Sequence, residues 1–217
     1  MAYNKRYGLY TKYALALIPI FLISCIGASS EIKINSDGSG TITQVYRISH
    51  ELQNMGKTGG TEKMYPLPAG REDLEKTVER IPGLRLTSYT SNQNEKDVII
   101  NAGFAFDTPE ALAALMENDN QQFKIDLNGK KITIHFPAGE DGEAAFKEMM
   151  VMAFTGYNFA ISFTVPGTAK ASWFDGSGKS VLQYPGTCSV RNGTVEYTVP
   201  MGDLIYLNNP LNLEINW

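Results

Sequence analysis

Apolar and polar positions alternate in short runs, and the runs are separated by turns rich in Gly, Asn and Asp. In EIKINSDGSGTITQVYRIS, Ile32 and Ile34 precede Asp37-Gly38-Ser39-Gly40, and Ile42, Val45, Tyr46 and Ile48 follow it. This predicts a hairpin, because glycine supplies the positive φ that a tight turn needs. A second hairpin is expected where polar Ser91 to Asp97 divides Leu84–Tyr89 from Val98–Phe106. Asn128-Gly129, between Phe123–Leu127 and Ile132–Phe136, gives the clearest hairpin signal. Further strand-like runs are NFAISFTVP, KSVLQYP, TVEYTVP and NLEINW, and YPGTCSVRNG places Cys188 in a strand.

Three segments follow helical spacing instead. REDLEKTVERIPG sets Leu74, Val78 and Ile81 on one face, has Glu72 and Asp73 in its first turn and stops at Pro82-Gly83. DTPEALAALMEN offers Thr108 as N-cap and Pro109 at the first helical position. From about Asp141 to Phe154, Phe146, Met149, Met150 and Ala153 share a face, and Glu143 and Lys147 form an i, i+4 pair. Antiparallel hairpins with about three helices packed on the sheet predict an α+β class, since no βαβ alternation of long buried strands is present.

The N-terminus breaks the alternation. Lys5, Arg6 and Lys12 precede a mostly apolar run from Tyr13 to Ser24, and Glu31 is the first acid of the chain. A dozen apolar residues fall short of the roughly 20 that cross a bilayer as a helix, so the layout reads as a signal peptide rather than a span. Leu22-Ile23-Ser24-Cys25 resembles the bacterial lipobox, in which a cysteine thiol accepts diacylglycerol before cleavage. Two competing readings are a general peptidase site at Ala28, Ser29 and Ser30 and an uncleaved anchor. The expected organisation is a lipoprotein signal peptide at 1–24, an acylated Cys25 and short tether at 25–31, and one domain at 32–217. Acyl chains contribute about 0.8 kcal/mol per buried methylene, so two or three hold a protein on a bilayer.

Removing the three basic residues of the leader from the 19 Lys and Arg leaves 16 against 23 Asp and Glu, a net charge of −7. That balance argues against nucleic acid as a partner, and against attraction to anionic lipid as the main anchoring force. With Cys25 acylated, Cys188 has no intramolecular disulfide partner and reads as a small buried hydrophobe.

No catalytic constellation stands out, and no cofactor or metal is expected. His50 and His135 are the two histidines, each read as solvent-facing or hydrogen-bonded; alternation sets His135 opposite Ile134 and Phe136. Asp37 and Asp175 both head DGSG, which lacks the dozen-residue ligand pattern of an EF-hand and reads as a turn in both places. Asn192-Gly193-Thr194 matches a glycosylation sequon and reads as another turn. FKEMMVMAFTGYNFAISF is the densest apolar stretch. Core packing is its default role; the alternative is a pliant apolar pocket wall of Phe146, Met149, Met150, Phe154, Tyr157 and Phe159, since methionine adapts to varied ligands.

The lipobox, the early DGSGTI hairpin, Phe163-Thr164-Val165-Pro166-Gly167 and the later NGTVEYTVPMGDL together resemble the LppM-type lipoprotein domain of bacterial envelopes. The chain departs from that pattern by ending at LNLEINW without a C-terminal hydrophobic span. The resemblance implies an envelope location and binding of lipids or glycolipids. The expected function is therefore a non-enzymatic, membrane-tethered lipoprotein, with the outer membrane or cell surface favoured over the inner membrane. The alternatives are a structural or assembly partner that docks another envelope protein and, third, an enzyme with an unrecognised site.

Overall fold

The computed structural model describes residues 26–50, 70–117, 123–139, 148, 151 and 154–217. Eleven strands and three helices occur among them, in two sheets. β1 (Ile26–Ile34), β2 (Gly40–Ser49), β3 (Leu84–Gln93) and β4 (Asp97–Phe106) join β7 (Asn158–Thr164), β9 (Thr187–Arg191) and β10 (Thr194–Pro200) in a large sheet of order β3-β4-β2-β1-β7-β10-β9. β5 (Phe123–Asp126), β6 (Lys131–Phe136), β8 (Lys170–Asp175) and β11 (Leu211–Asn216) form a small sheet of order β5-β6-β11-β8. The mixed α+β class holds, but the molecule is richer in strand than the sequence pattern suggests.

The first hairpin pairs Ile32 with Ile42 and Ile34 with Gly40. Gly38 takes φ 86°, and the Asp37 carboxylate accepts from the Ser39 backbone N–H at 3.0 Å and from its hydroxyl at 2.7 Å. Along β2 the inward set is Ile42, Gln44, Tyr46 and Ile48, so Val45 falls on the opposite face and a glutamine enters the interior. β3 and β4 extend well into the polar stretch read as a loop, which shrinks the turn to residues 94–96. In the third hairpin the left-handed residue is Lys130, φ 48°, and not Gly129. The four-residue turn 127–130 is held by Lys130 N–H donating to Leu127 O and by Gly129 N–H donating to Asp126 Oδ1.

α1 (Arg71–Arg80) buries Leu74 and packs Val78 and Ile81 against the same core. α2 (Pro109–Met116) begins at Thr108, whose hydroxyl accepts from Ala111 N–H at 3.3 Å, and buries Ala111 and Leu112. α3 (Met201–Ile205) is a short helix absent from the sequence reading. The expected helix at 141–154 lies largely outside the described residues; Glu148 and Val151 within it are helical, and Phe154 is in the turn that follows.

Four expectations need correction. Residues 26–31, taken as a tether, are the first part of β1 and are paired from Ile26 onward, with Ile26 opposite Ile48. KSVLQYP is not a strand beyond a bridge from Ser180 to Phe174, because Val181 to Gly186 turns across to β9. KASWFD, which does not stand out as a strand in the sequence, forms β8. The large sheet is not wholly antiparallel: β1 runs parallel to β7, with Ala28 opposite Phe159 and Ile32 opposite Phe163.

One core joins the two sheets. Ile32, Ile42, Phe104, Phe163 and Tyr197 from the large sheet meet Ile134, Phe136, Trp173 and Leu213 from the small one. Each fully buried large side chain contributes about 1.5–3 kcal/mol relative to exposure. Among the described residues, α1 and α2 cover the β3/β4 flank of the same inner face.

Candidate functional site

The residues singled out in the sequence separate into three groups. Cys25 and the lipobox lie outside the described residues, as do Phe146, Met149 and Met150. Phe154 and Tyr157 are 1% and 6% exposed and pack with Met201 in a small cluster beside the main core. Phe159 is partly buried and touches both groups: it borders that cluster and meets Phe136 edge-on at 5.9 Å. The described part of the Met/Phe-rich segment is thus in contact with packed protein on at least one side.

Tyr157 occupies a demanding position. Its hydroxyl donates to Asp97 Oδ1 at 2.6 Å, and Asp97 is only 5% exposed. The Asp97 backbone N–H donates to Asn94 Oδ1, while Lys96 Nζ lies 5.0 Å from the Tyr157 ring centroid. A buried carboxylate is costly unless hydrogen-bonded, so these contacts fix the 94–97 turn against the segment entering β7. Gly27 of β1 belongs to the same place, since a side chain there would press on Tyr157 Cδ1. Met201 N–H donates to Tyr157 O and brings the start of α3 to this end of the sheet.

Both histidines are hydrogen-bonded. His50 Nε2 is 2.7 Å from Asn94 O, and His135 Nδ1 is 2.9 Å from Asn212 Oδ1 on the neighbouring strand. Alternation along β6 buries Ile132, Ile134 and Phe136 and turns His135 the other way. The two DGSG carboxylates serve their own turns: Asp175 Oδ1 accepts from Ser177 and Lys179 as Asp37 does from Ser39. Those bonds, the serine hydroxyl foremost, hold both carboxyls below the usual range. Asn192 and Gly193 make the β9–β10 turn, with φ 48° and 77°. Among the described residues no cluster of three metal-ligating side chains occurs, and no helix is long and apolar enough to cross a membrane.

Cys188 is half-buried in β9, and burial pushes its thiol up. The Trp173 Nε1–H is buried without a hydrogen-bond partner, and the neighbouring Cys188 sulfur is at best a weak acceptor for it. Around them Trp173 stacks on Tyr184 at 4.4 Å and meets Tyr197 at 4.8 Å. The Tyr197 hydroxyl donates to Pro185 O, and burial raises both Tyr197 and Tyr46 far above the ordinary phenol.

One open groove runs between α1 and the outer strand β3. Val78, Leu84 and Leu86 make its apolar part, and Arg71, Glu75, Glu79 and Arg85 complete its lining. Arg71 pairs with Glu75 at 3.2 Å and Arg85 with Asp107 at 2.6 Å. Nothing in the sequence pattern marked this groove, because its walls come from a helix and a strand that were read separately.

No protein-family model matches the chain, and no curated protein matches its sequence. Among solved structures it is similar to the folded domain of LppM from Mycobacterium tuberculosis, determined by NMR. The two are 10% identical, with a TM-score of 0.45, over 89% of this chain and 90% of that one.

Proposed function

We propose that this chain is a lipid-anchored, non-enzymatic protein of a bacterial cell envelope that binds lipid or glycolipid. The observation that carries the anchor is Leu22-Ile23-Ser24-Cys25 at the end of a basic-then-apolar leader. Both histidines and both DGSG carboxylates are committed to structural hydrogen bonds, which favours binding over catalysis. Lipid binding rests on the Met/Phe-rich segment that ends in Phe154, Tyr157 and Phe159. Mass spectrometry of protein extracted from membranes tests the anchor: a mature N-terminus at diacylated Cys25 supports it, and any other N-terminus refutes it. A soluble Cys25→Ser domain that takes up neither a fluorescent fatty acid nor envelope lipid removes the binding half.

A second reading has its own observation. Among the described residues β3 has a strand neighbour on one side only, and Leu84, Arg85 and Leu86 at its start line the groove with α1. An extended segment of another envelope protein laid along β3 would continue the ladder and place alternate side chains against Val78 and Leu86. In-cell crosslinking from β3 to one defined protein would favour this reading.

A further inference from the structure

We infer that the end of the large sheet from which β1 departs rests against the lipid headgroups, so that the strands stand away from the bilayer. This deepens the proposed anchoring and depends on acylation of Cys25. The decisive feature is the absence of slack. Ile26 is already paired with Ile48, and Gly27 with Arg47. Cys25 is the next residue, and consecutive Cα atoms are about 3.8 Å apart. β1 is also the fourth of seven strands, with β2 and β7 on its two sides. An acyl anchor therefore leaves from the middle of the sheet end, where it cannot swing to one edge.

The registers say what else meets the headgroups. The end holding the start of β1 also holds the close of β2, the 94–96 turn, the start of β7 and the close of β10. Tyr157, Asp97 and Phe154 are locked into this end, and α3 begins there through Met201. The C-cap of α3, Tyr206, is 47% exposed. Five helical residues span about 8 Å, so this ring stays near the sheet end that holds Met201. Its exposure suits a bilayer surface, since an amphipathic ring such as tyrosine fits the headgroup level.

The opposite end of β1 carries the Asp37-Gly38 turn. At about 3.3 Å per residue, that turn stands roughly 30 Å farther from the membrane. The test uses the acylated full chain in a Cys188→Ser background, reconstituted in phosphatidylethanolamine and phosphatidylglycerol vesicles that include a nickel-chelating lipid. Nitroxide labels are placed at Glu95→Cys, Tyr206→Cys and Ser36→Cys. Strong relaxation by the lipid-borne nickel at 95 and 206, and none at 36, is expected. Equal relaxation at all three, or the strongest at 36, overturns the orientation while leaving the anchor intact. A mass spectrum of the same sample without acyl groups overturns both.

Discussion

The inner face of the large sheet is sealed differently over its two halves. Under β7 and β10 the small sheet closes on it with aromatic rings: Phe136 meets Phe159 and Tyr197, Trp173 stacks on Phe136 and Tyr184, and Phe123 stacks on Phe163. Under β2 and β4 the cover includes α1 and α2, and polar groups enter the interior. Gln44 is 7% exposed; its Oε1 accepts from the Tyr46 hydroxyl at 2.7 Å, and its Nε2 faces Met116 Sδ at 3.9 Å. The aromatic half depends on volume and is indifferent to direction. The polar half depends on a few bonds whose loss leaves a buried group unpartnered.

Removing volume from the aromatic half gives the largest effect. Phe163→Ala is expected to cost about 3–5 kcal/mol by denaturant unfolding, because Phe163 is fully buried and the rigid sheets collapse poorly around a cavity. In the polar half one oxygen is enough: Tyr46→Phe keeps the ring and removes the donor to buried Gln44, at about 1–3 kcal/mol. If Tyr46→Phe proves as costly as Phe163→Ala, the distinction between volume and direction fails. The two DGSG turns repeat the contrast on a smaller scale. Gly38 and Gly178 both have positive φ, for which a Cβ costs roughly 1–2 kcal/mol. At Gly38 the new methyl also meets Leu127 and Pro109, whereas nothing lies within 4 Å at Gly178. Gly38→Ala should therefore lower the melting temperature further than Gly178→Ala.

The smallest effect at neutral pH is a shared one. Tyr46 in the polar half and Tyr197 in the aromatic half both have raised phenol pKa values, chiefly through burial. A raised folded pKa gives stability that is full below the unfolded value of about 10 and is lost as pH rises beyond it. Phenolate absorbance should therefore show these two tyrosines ionising only together with alkaline unfolding. If one of them titrates in the native protein, its half of the interior is the more permeable.

What was legible in the sequence was local. The first two hairpins, the Leu74 face of α1 and the Thr108 cap of α2 each depend on residues within about two dozen positions, and each is present. The misses are long-range or context-dependent. β8 escaped notice because Lys170, Ser172 and Asp175 mask the inward Trp173, whose partner Leu213 is remote in sequence. The parallel β1–β7 pairing leaves no periodic mark, and the split into two sheets is decided by which strands find each other. Lys130 takes the left-handed position because Asp126 caps Gly129 and moves the tight residue one step along. For the candidate site, the sequence marked the Met/Phe-rich stretch without dividing it. The fold assigns Phe154 and Tyr157 to one cluster and links Phe159 to the aromatic interlayer as well.

The β1–β7 pairing also dictates an order of events. β1 is the first strand in the chain and the middle strand of its sheet, yet Ala28 waits for Phe159. As the chain is made from its N-terminus, β1 to β4 can pair with one another early, because all four lie in its first half. Closure on β7 must wait for most of the chain, and such non-local pairing is slow. Residues 28–33 therefore stay open on one side until the chain has been made as far as β7, and on the proposed anchoring the acylation of the adjoining Cys25 would fall in that interval.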